Sequence, residues 1–288
     1  MTTSAAKKLR SDAYECFKVE IKDKVAHIVL DRPEKMNAMN RAFWRELPEI
    51  VREIDEGALA RAIVISSTGK HFSAGMDLSV FTSGPDNKGK ETGRLRANLM
   101  RTVLKLQKTF GCLDEARMPV LMAVQGGCIG GGVDFASASD MRYCTKDAFF
   151  CIQEINIGMT ADVGTFPRLP HLMPQGLVRE LAYTGRRLYA EEAKDCGFVN
   201  QVFETQEDML AAVTGIAKDI AARSPLAVHG SKEMINYARD HSIADGLKHI
   251  AVWQTGMFQP ADMMESFAAK AEKREPEFDD LLPEEDAI

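Results

Sequence analysis

The stretch Val120-Leu121-Met122-Ala123-Val124-Gln125-Gly126-Gly127-Cys128-Ile129-Gly130-Gly131-Gly132-Val133-Asp134-Phe135 decides the fold class. The unbroken apolar run at 120–124 is the pattern of a strand covered on both faces. Glycines then crowd the turn, and Val133-Asp134-Phe135 reads as a helix start. A second segment repeats the design: Ala62-Ile63-Val64-Ile65-Ser66, then Gly69, then Ser73-Ala74-Gly75-Met76-Asp77-Leu78. Glycine admits unusual backbone angles and close approach to a ligand. A helix start adds unpaired N–H donors and a partial positive charge. Two such ends facing one oxygen would form an oxyanion hole; each alone is equally a plain strand–helix turn. Neither loop carries the Gly-Lys-Ser/Thr of a phosphate loop or a G-x-G-x-x-G fingerprint.

Working outward, residues 16–21 and 24–30 read as a hairpin, and Asp31-Arg32-Pro33 ends it. Asn40 is placed to cap a helix whose apolar face is Phe43, Leu47, Ile50, Val51 and Ile54. Pro48 inside that helix predicts a kink or restart. Residues 83–93 are polar and turn-rich, the pattern of a surface loop. Leu95, Leu99, Val103, Leu106, Phe110 and Leu113 predict a long helix. Beyond residue 205 the periodicity is helical, over 207–223, 231–240 and 243–272. Strand–helix–strand alternation points to an α/β layer fold. A helical end of this kind covers a sheet or builds an oligomer interface.

The chain has 288 residues, enough for one large domain or two small ones. With 45% hydrophobic and 27% charged residues, wholesale disorder is excluded. A net charge of −6 gives no bulk attraction for nucleic acid. The six cysteines show neither C-x-x-C pairs nor zinc spacing, as expected for free thiols in a reducing compartment. No apolar run reaches the ~18–20 residues of a membrane span. The first residues lack a secretory apolar core and the last are not a peroxisomal tripeptide, so a cytoplasmic, bacterial setting is expected, or a mitochondrial or peroxisomal matrix if the source is eukaryotic.

Three acids stand out. Asp134 follows the triple glycine, and Glu154 and Asp162 lie in the apolar stretch Phe149–Gly164. A carboxylate among such neighbours is paired or lines a pocket. Desolvation raises its pKa towards the range useful for proton transfer. His71, in the first glycine loop, reads as a surface or packing residue.

Several motifs resemble the crotonase (enoyl-CoA hydratase/isomerase) superfamily. They are Asp31-Arg32-Pro33-Glu34-Lys35-Met36-Asn37-Ala38-Met39-Asn40, the Ser73–Leu78 turn, Gly130-Gly131-Gly132, Tyr183-Thr184-Gly185-Arg186, Ala190-Glu191-Glu192-Ala193 and Gly197-Phe198-Val199-Asn200. They run in order over residues 16–240. Within the superfamily, GGCIGGGVDFASASDMRYCTKDAFF and ADVGTFPRLP are most similar to the Δ3,5-Δ2,4-dienoyl-CoA isomerases. Hydratases usually carry glutamate at the Asp134 position and a small residue at the Asp162 position, so both departures favour isomerase.

The resemblance implies an α/β spiral of ββα repeats over residues 1–204. It implies a helical region over 205–288 that covers the active site and builds a homotrimer or homohexamer. It also implies a role in fatty-acid β-oxidation with an acyl-CoA substrate and no cofactor, metal, nucleic-acid or membrane partner. The backbone N–H groups of Met76 and Gly131 would polarise the thioester carbonyl. Glu154 would take the C2 proton, Asp162 would protonate C6, and Asp134 would hold a polar contact between them. Coenzyme A would lie along Lys35, Met36 and Ala38 and along Ala74, Gly75, Met76, Asp77, Leu78 and Gly131. Met76, Phe81 and Phe149 are candidates for the acyl-tail pocket. The alternatives are a 2-enoyl-CoA hydratase, a Δ3-Δ2-enoyl-CoA isomerase, or a binding protein of the same fold without turnover.

Overall fold

The computed structural model describes residues 14–77, 79–82 and 89–284. Leu78 and most of the 83–93 loop lie outside the described residues. The chain opens with β1 (Phe17–Lys22) and β2 (Val25–Leu30), an antiparallel hairpin. Its turn residues Asp23 and Lys24 both take positive φ, the geometry of a tight hairpin turn. Helix α1 (Arg41–Glu56) follows, then β3 (Ala62–Ser67), the short α2 (Ser79–Thr82) and α3 (Thr92–Glu115). Next come β4 (Val120–Val124), β5 (Gly127–Ile129), α4 (Gly131–Ser137), β6 (Met141–Thr145) and β7 (Phe149–Cys151). Then follow α5 (Thr165–Leu172), α6 (Gln175–Thr184), β8 (Leu188–Tyr189), α7 (Ala190–Asp195) and β9 (Gln201–Phe203). The chain continues with α8 (Gln206–Ala221), α9 (Pro225–Tyr237), α10 (Ile243–Met257) and α11 (Pro260–Glu272).

Among the described residues the strands form two sheets, β1-β2-β3-β4-β6-β9 and β5-β7-β8. From β2 to β9 the larger sheet is parallel. Its central strands leave it at their C-terminal ends and touch the smaller sheet before entering a helix. Thus β4 runs into β5 and α4, and β6 runs into β7 and then α5. After β3 a single bridge, Ser73 to Cys128, takes the place of the second strand. These are the expected ββα repeats of the spiral.

The apolar runs at 62–66 and 120–124 are covered on both faces. Ala62, Val64, Leu121 and Ala123 pack with Met209, Val213, Ala217 and Ala221 of α8. Ile63, Ile65, Val120, Met122 and Val124 face a second core with α1 and the rings of Phe43, Phe110 and Phe135. Helix α8 therefore forms part of the packed core, although it lies beyond residue 205. Residues 278–282 return along the surface to the start of the chain, where Asp280 pairs with Lys24 and Arg61 and the Leu282 carbonyl accepts from Arg117.

Asn40 caps α1 as expected, its side chain accepting from Phe43 N–H at 3.0 Å. Pro48 neither breaks nor restarts this helix, which runs unbroken from Arg41 to Glu56. A proline leaves the carbonyl four residues back without its helical donor. That carbonyl, of Trp44, accepts instead from Thr109 Oγ1 of α3 at 3.3 Å. The long-helix expectation over 95–113 holds in extent, but Leu99, Met100 and Leu104 are exposed. The expected helix over 243–272 is two helices, parted at Phe258-Gln259, with the Gln259 side chain capping α11 and Pro260 opening it. The helix expected from 231 begins at Pro225, capped by Ser224.

Candidate active site

The two glycine turns meet. Ser73 exchanges backbone bonds with β5, donating to Gly127 O at 3.1 Å and accepting from Ile129 N–H at 3.0 Å. Two residues on, the chain pairs on its other edge: Met39 N–H donates to Gly75 O at 2.8 Å and Asp77 N–H to Met39 O at 3.1 Å. In that parallel bridge the N–H of Met76 points away from Met39. It points towards the start of α4. A Cβ built on Gly131 would lie 3.8 Å from Met76 N. Among the described residues neither the Met76 nor the Gly131 N–H donates to a protein acceptor. Two adjacent N–H groups without a protein acceptor, one at a helix start, have the arrangement that an oxyanion would require.

Gly75 makes the approach possible. Its φ is +81°, and a Cβ there would sit 2.5 Å from Ile129 O and 3.2 Å from Gly131 N. Both atoms belong to backbone, so the loops would have to part. Gly75→Ala is expected to lower kcat by about a hundredfold, the effect of losing one oxyanion donor. Steady-state assay of protein whose fold is verified by circular dichroism checks this.

Asp134, on α4, is 1% exposed. Its Oδ1 accepts from both the N–H (2.6 Å) and the Oγ1–H (2.7 Å) of Thr165, the first residue of α5. Burial pushes its carboxyl up to about 6, against the Thr165 hydrogen bonds that lower it; Asp162 raises it further and Arg168 lowers it. Glu154 stands in a 3₁₀ turn, Gln153–Ile157, directly after β7. Its Oε2 is buried and has no hydrogen-bond partner among the described residues. Its Oε1 would lie 3.2 Å from a Cβ built on Gly130, beside the start of α4. Burial, then the charges of Asp134 and Asp162, push Glu154 up to about 7. Glu154 Oε1 therefore lies beside the glycine turn that opens α4 and carries the Gly131 N–H.

Asp162 departs from the expectation of an apolar setting: it is exposed, while Ala161 and Val163 on either side are buried. Its neighbours turn inward and leave the carboxylate facing outward. Its backbone carbonyl accepts from Gln107 Nε2 of α3 at 2.7 Å. The charge is still close enough to raise both Asp134 and Glu154. Asp134's protein hydrogen bonds go to Thr165 rather than to either other acid.

Residues with weaker sequence signals, or none, support the site. Asn156 Nδ2 donates to Gly185 O at 3.1 Å and to Gln153 Oε1 at 3.2 Å, tying down the turn that carries Glu154. Met159 N–H closes it on Glu154 O at 2.9 Å. Thr165 and Gln107 hold the two ends of the Asp162 segment. Only Thr165 left a sequence signal, as a hydroxyl residue directly after a glycine at a helix start.

The other expected contacts form one edge. Lys35 and Met36 are exposed, Ala38 is half-buried, and Ala74 N–H donates to Met36 O at 2.9 Å, so residues 35–39 run beside 74–77. The buried Asn37 at φ +51° supports this edge, its amide donating to Thr68 O and His71 O. Asp77 Oδ1 accepts from Ser79 N–H, and bonding to Ser79 holds its carboxyl below the usual range. His71 Nδ1 accepts from Gly127 N–H at 2.9 Å, a structural role.

A cavity of about 410 Å³ is lined among others by Ile152, Ile155, Met159, Ala161, Phe166 and Val178; Ile155 and Ala161 adjoin Glu154 and Asp162 in the chain, but none of the three acids lines it. Phe149 does not line it; the ring is buried between His71 and Tyr189, with the Arg187 guanidinium 4.1 Å above it. The Phe81 side chain lies outside the described residues. No group of three or more His, Cys, Asp or Glu among the described residues is arranged to hold a metal ion. All six cysteines are free. No described helix is long and apolar enough to cross a membrane.

The geometry agrees with comparisons to known proteins. The model of the enoyl-CoA hydratase/isomerase family matches residues 20–281. The mitochondrial Δ(3,5)-Δ(2,4)-dienoyl-CoA isomerase of Mus musculus is 45% identical over 265 residues, 91% of this chain and 81% of that protein. The peroxisomal protein of the same name from Arabidopsis thaliana is 38% identical, covering 88% of this chain and 92% of that one. A crystal structure of an enoyl-CoA hydratase from Bacillus anthracis superposes with a TM-score of 0.80 at 28% identity, over 94% of this chain and 100% of that one. The crotonase-like α/β fold is thereby established, and the chain belongs to the enoyl-CoA hydratase/isomerase family.

Proposed function

We propose that the protein is a Δ3,5-Δ2,4-dienoyl-CoA isomerase acting in fatty-acid oxidation. The observation that carries this reading is the buried, unpartnered Oε2 of Glu154 beside the Met76 and Gly131 donors, with a separate, solvent-facing acid at Asp162. The relatives' names agree with it.

In this reading the thioester oxygen accepts from the Met76 and Gly131 N–H groups, and polarisation acidifies C2–H. The Glu154 carboxylate takes that proton, leaving an extended enolate delocalised from the thioester oxygen to C6. Asp162 passes a proton from solvent to C6. One C–H bond breaks at C2 and one forms at C6, and the double bonds move from 3,5 to 2,4. Glu154 then loses its proton and Asp162 regains one through solvent. No electrons are gained or lost, so the proposed chemistry requires no redox cofactor.

A hydratase would need two carboxylates gripping one water. Here Asp134 has one oxygen occupied by Thr165, which favours the isomerase. Coenzyme A is proposed to lie along Lys35–Ala38 and Ala74–Asp77, with the acyl tail directed to the cavity beyond Ile155. The exposed Ile243, Leu247, Val252, Phe258 and Phe267 of the C-terminal helices are proposed to be covered in a homotrimer or homohexamer.

An absorbance assay of purified protein tests the assignment. With a 3,5-dienoyl-CoA, absorbance from a diene conjugated to the thioester should grow. Rapid loss of conjugation from a 2-enoyl-CoA, with no turnover of the dienoyl substrate, would make it a hydratase.

A further inference from the structure

We propose that Thr165 is a positioning residue that sets the basicity of Glu154 through Asp134. This rests on the isomerase reading above. Three observations carry it. Thr165 is 1% exposed and gives both its N–H and its hydroxyl to a single oxygen, Asp134 Oδ1, at 2.6 and 2.7 Å. Two short hydrogen bonds on one oxygen favour the ionised carboxyl. The other oxygen, Oδ2, has no protein donor among the described residues, so Thr165 supplies all of Asp134's hydrogen bonding there. Finally, α4, which carries Asp134, also begins with Gly131, so the bond ties the oxyanion donor to the segment bearing Asp162.

The charged and titratable groups facing this pair are few. Asp134 feels Asp162, Arg168 and Glu154, and the buried Cys128 thiol lies near it. Arg168 is itself held by Asp114, which also pairs with Arg239. Glu154 feels Asp134 and Asp162, and Cys151 lies beside it. With its hydroxyl in place, Thr165 keeps Asp134 negative, and that charge makes Glu154 a stronger base. Without the hydroxyl, Asp134 takes a proton more readily. A neutral Asp134 no longer raises Glu154, which becomes a weaker base that ionises at lower pH.

The test compares pH profiles of kcat/KM and kcat on a 3,5-dienoyl-CoA. Thr165→Val keeps the volume and the backbone donor. Its acidic limb should move about half to one pH unit lower, and its plateau kcat should fall about tenfold with little change in KM. Thr165→Ser should restore both. In an Asp134→Asn background, where no charge remains to be held, Thr165→Val should shift the limb no further. A fallen plateau with an unmoved limb, or a full shift persisting in the Asp134→Asn background, would overturn the proposal. If the valine variant fails to fold, Thr165→Ala makes the same comparison. Absence of dienoyl turnover in the wild type would instead overturn the isomerase reading.

Discussion

Glu154→Gln is expected to stop exchange of the substrate's C2 proton with solvent and to lower turnover about a thousandfold, within the usual range for loss of a general base. The glutamine keeps the shape of the side chain and the 3₁₀ turn, whose backbone closure by Met159 N–H is untouched. What it removes is the proton acceptor beside the Met76 and Gly131 donors. Deuterium incorporation at C2 in heavy water measures this directly. Exchange at the wild-type rate would show that another group is the base.

The same variant has a stability signature of opposite sign. Burial, with the Asp134 and Asp162 charges, raises Glu154 from 4.5 to about 7. Between those values the folded protein binds the proton that the unfolded chain has released. The stabilising contribution is therefore complete below about pH 4.5 and is lost as pH rises through 7. A raise of this size corresponds to a cost of about 3 kcal/mol above pH 7. Glu154→Gln should thus melt a few degrees higher than wild type at pH 8, with the difference vanishing near pH 5. The base would then be held at the expense of fold stability, as is common in active sites. In the wild type, kcat/KM should fall below about pH 7 as the carboxylate is protonated.

What the sequence made legible follows the range of the interactions involved. Strands 62–67 and 120–124 were readable because burial on both faces leaves a local mark, an unbroken apolar run. The Asn40 cap was readable because donor and acceptor are three residues apart. The tolerance of Pro48 was not, because the donor that relieves Trp44 O comes from Thr109, 65 residues along the chain. The same distinction applies in the site. The two glycine turns are visible locally, and the family resemblance adds Met76 and Gly131 to them, whereas Thr165 and Gln107 act through partners 31 and 55 residues away. Asp162 reads as an acid among apolar residues, yet its side chain faces solvent. In an irregular segment neither helical nor strand periodicity says which side a residue faces.

Asp162→Asn is expected to separate the two halves of the reaction. Isomerisation of a 3,5-dienoyl-CoA should fall about a thousandfold, within the usual range for loss of a general acid. Exchange of the C2 proton should continue, because Glu154 and the oxyanion donors remain. The substitution is expected to be mild for the fold. The side chain is exposed, and the segment is held by the backbone bond from Gln107 to the Asp162 carbonyl, which asparagine retains. Losing a negative charge near Glu154 also makes that carboxylate somewhat easier to ionise, so the acidic limb of the exchange reaction should move to lower pH. Exposure is what the proposed role calls for: an acid that gives a proton to C6 each turnover must recover it from solvent, whereas the buried Asp134 has no such access. Full isomerase activity in Asp162→Asn would remove this residue from the mechanism. Loss of C2 exchange together with isomerisation would mean that Asp162 supports the base rather than delivering the second proton.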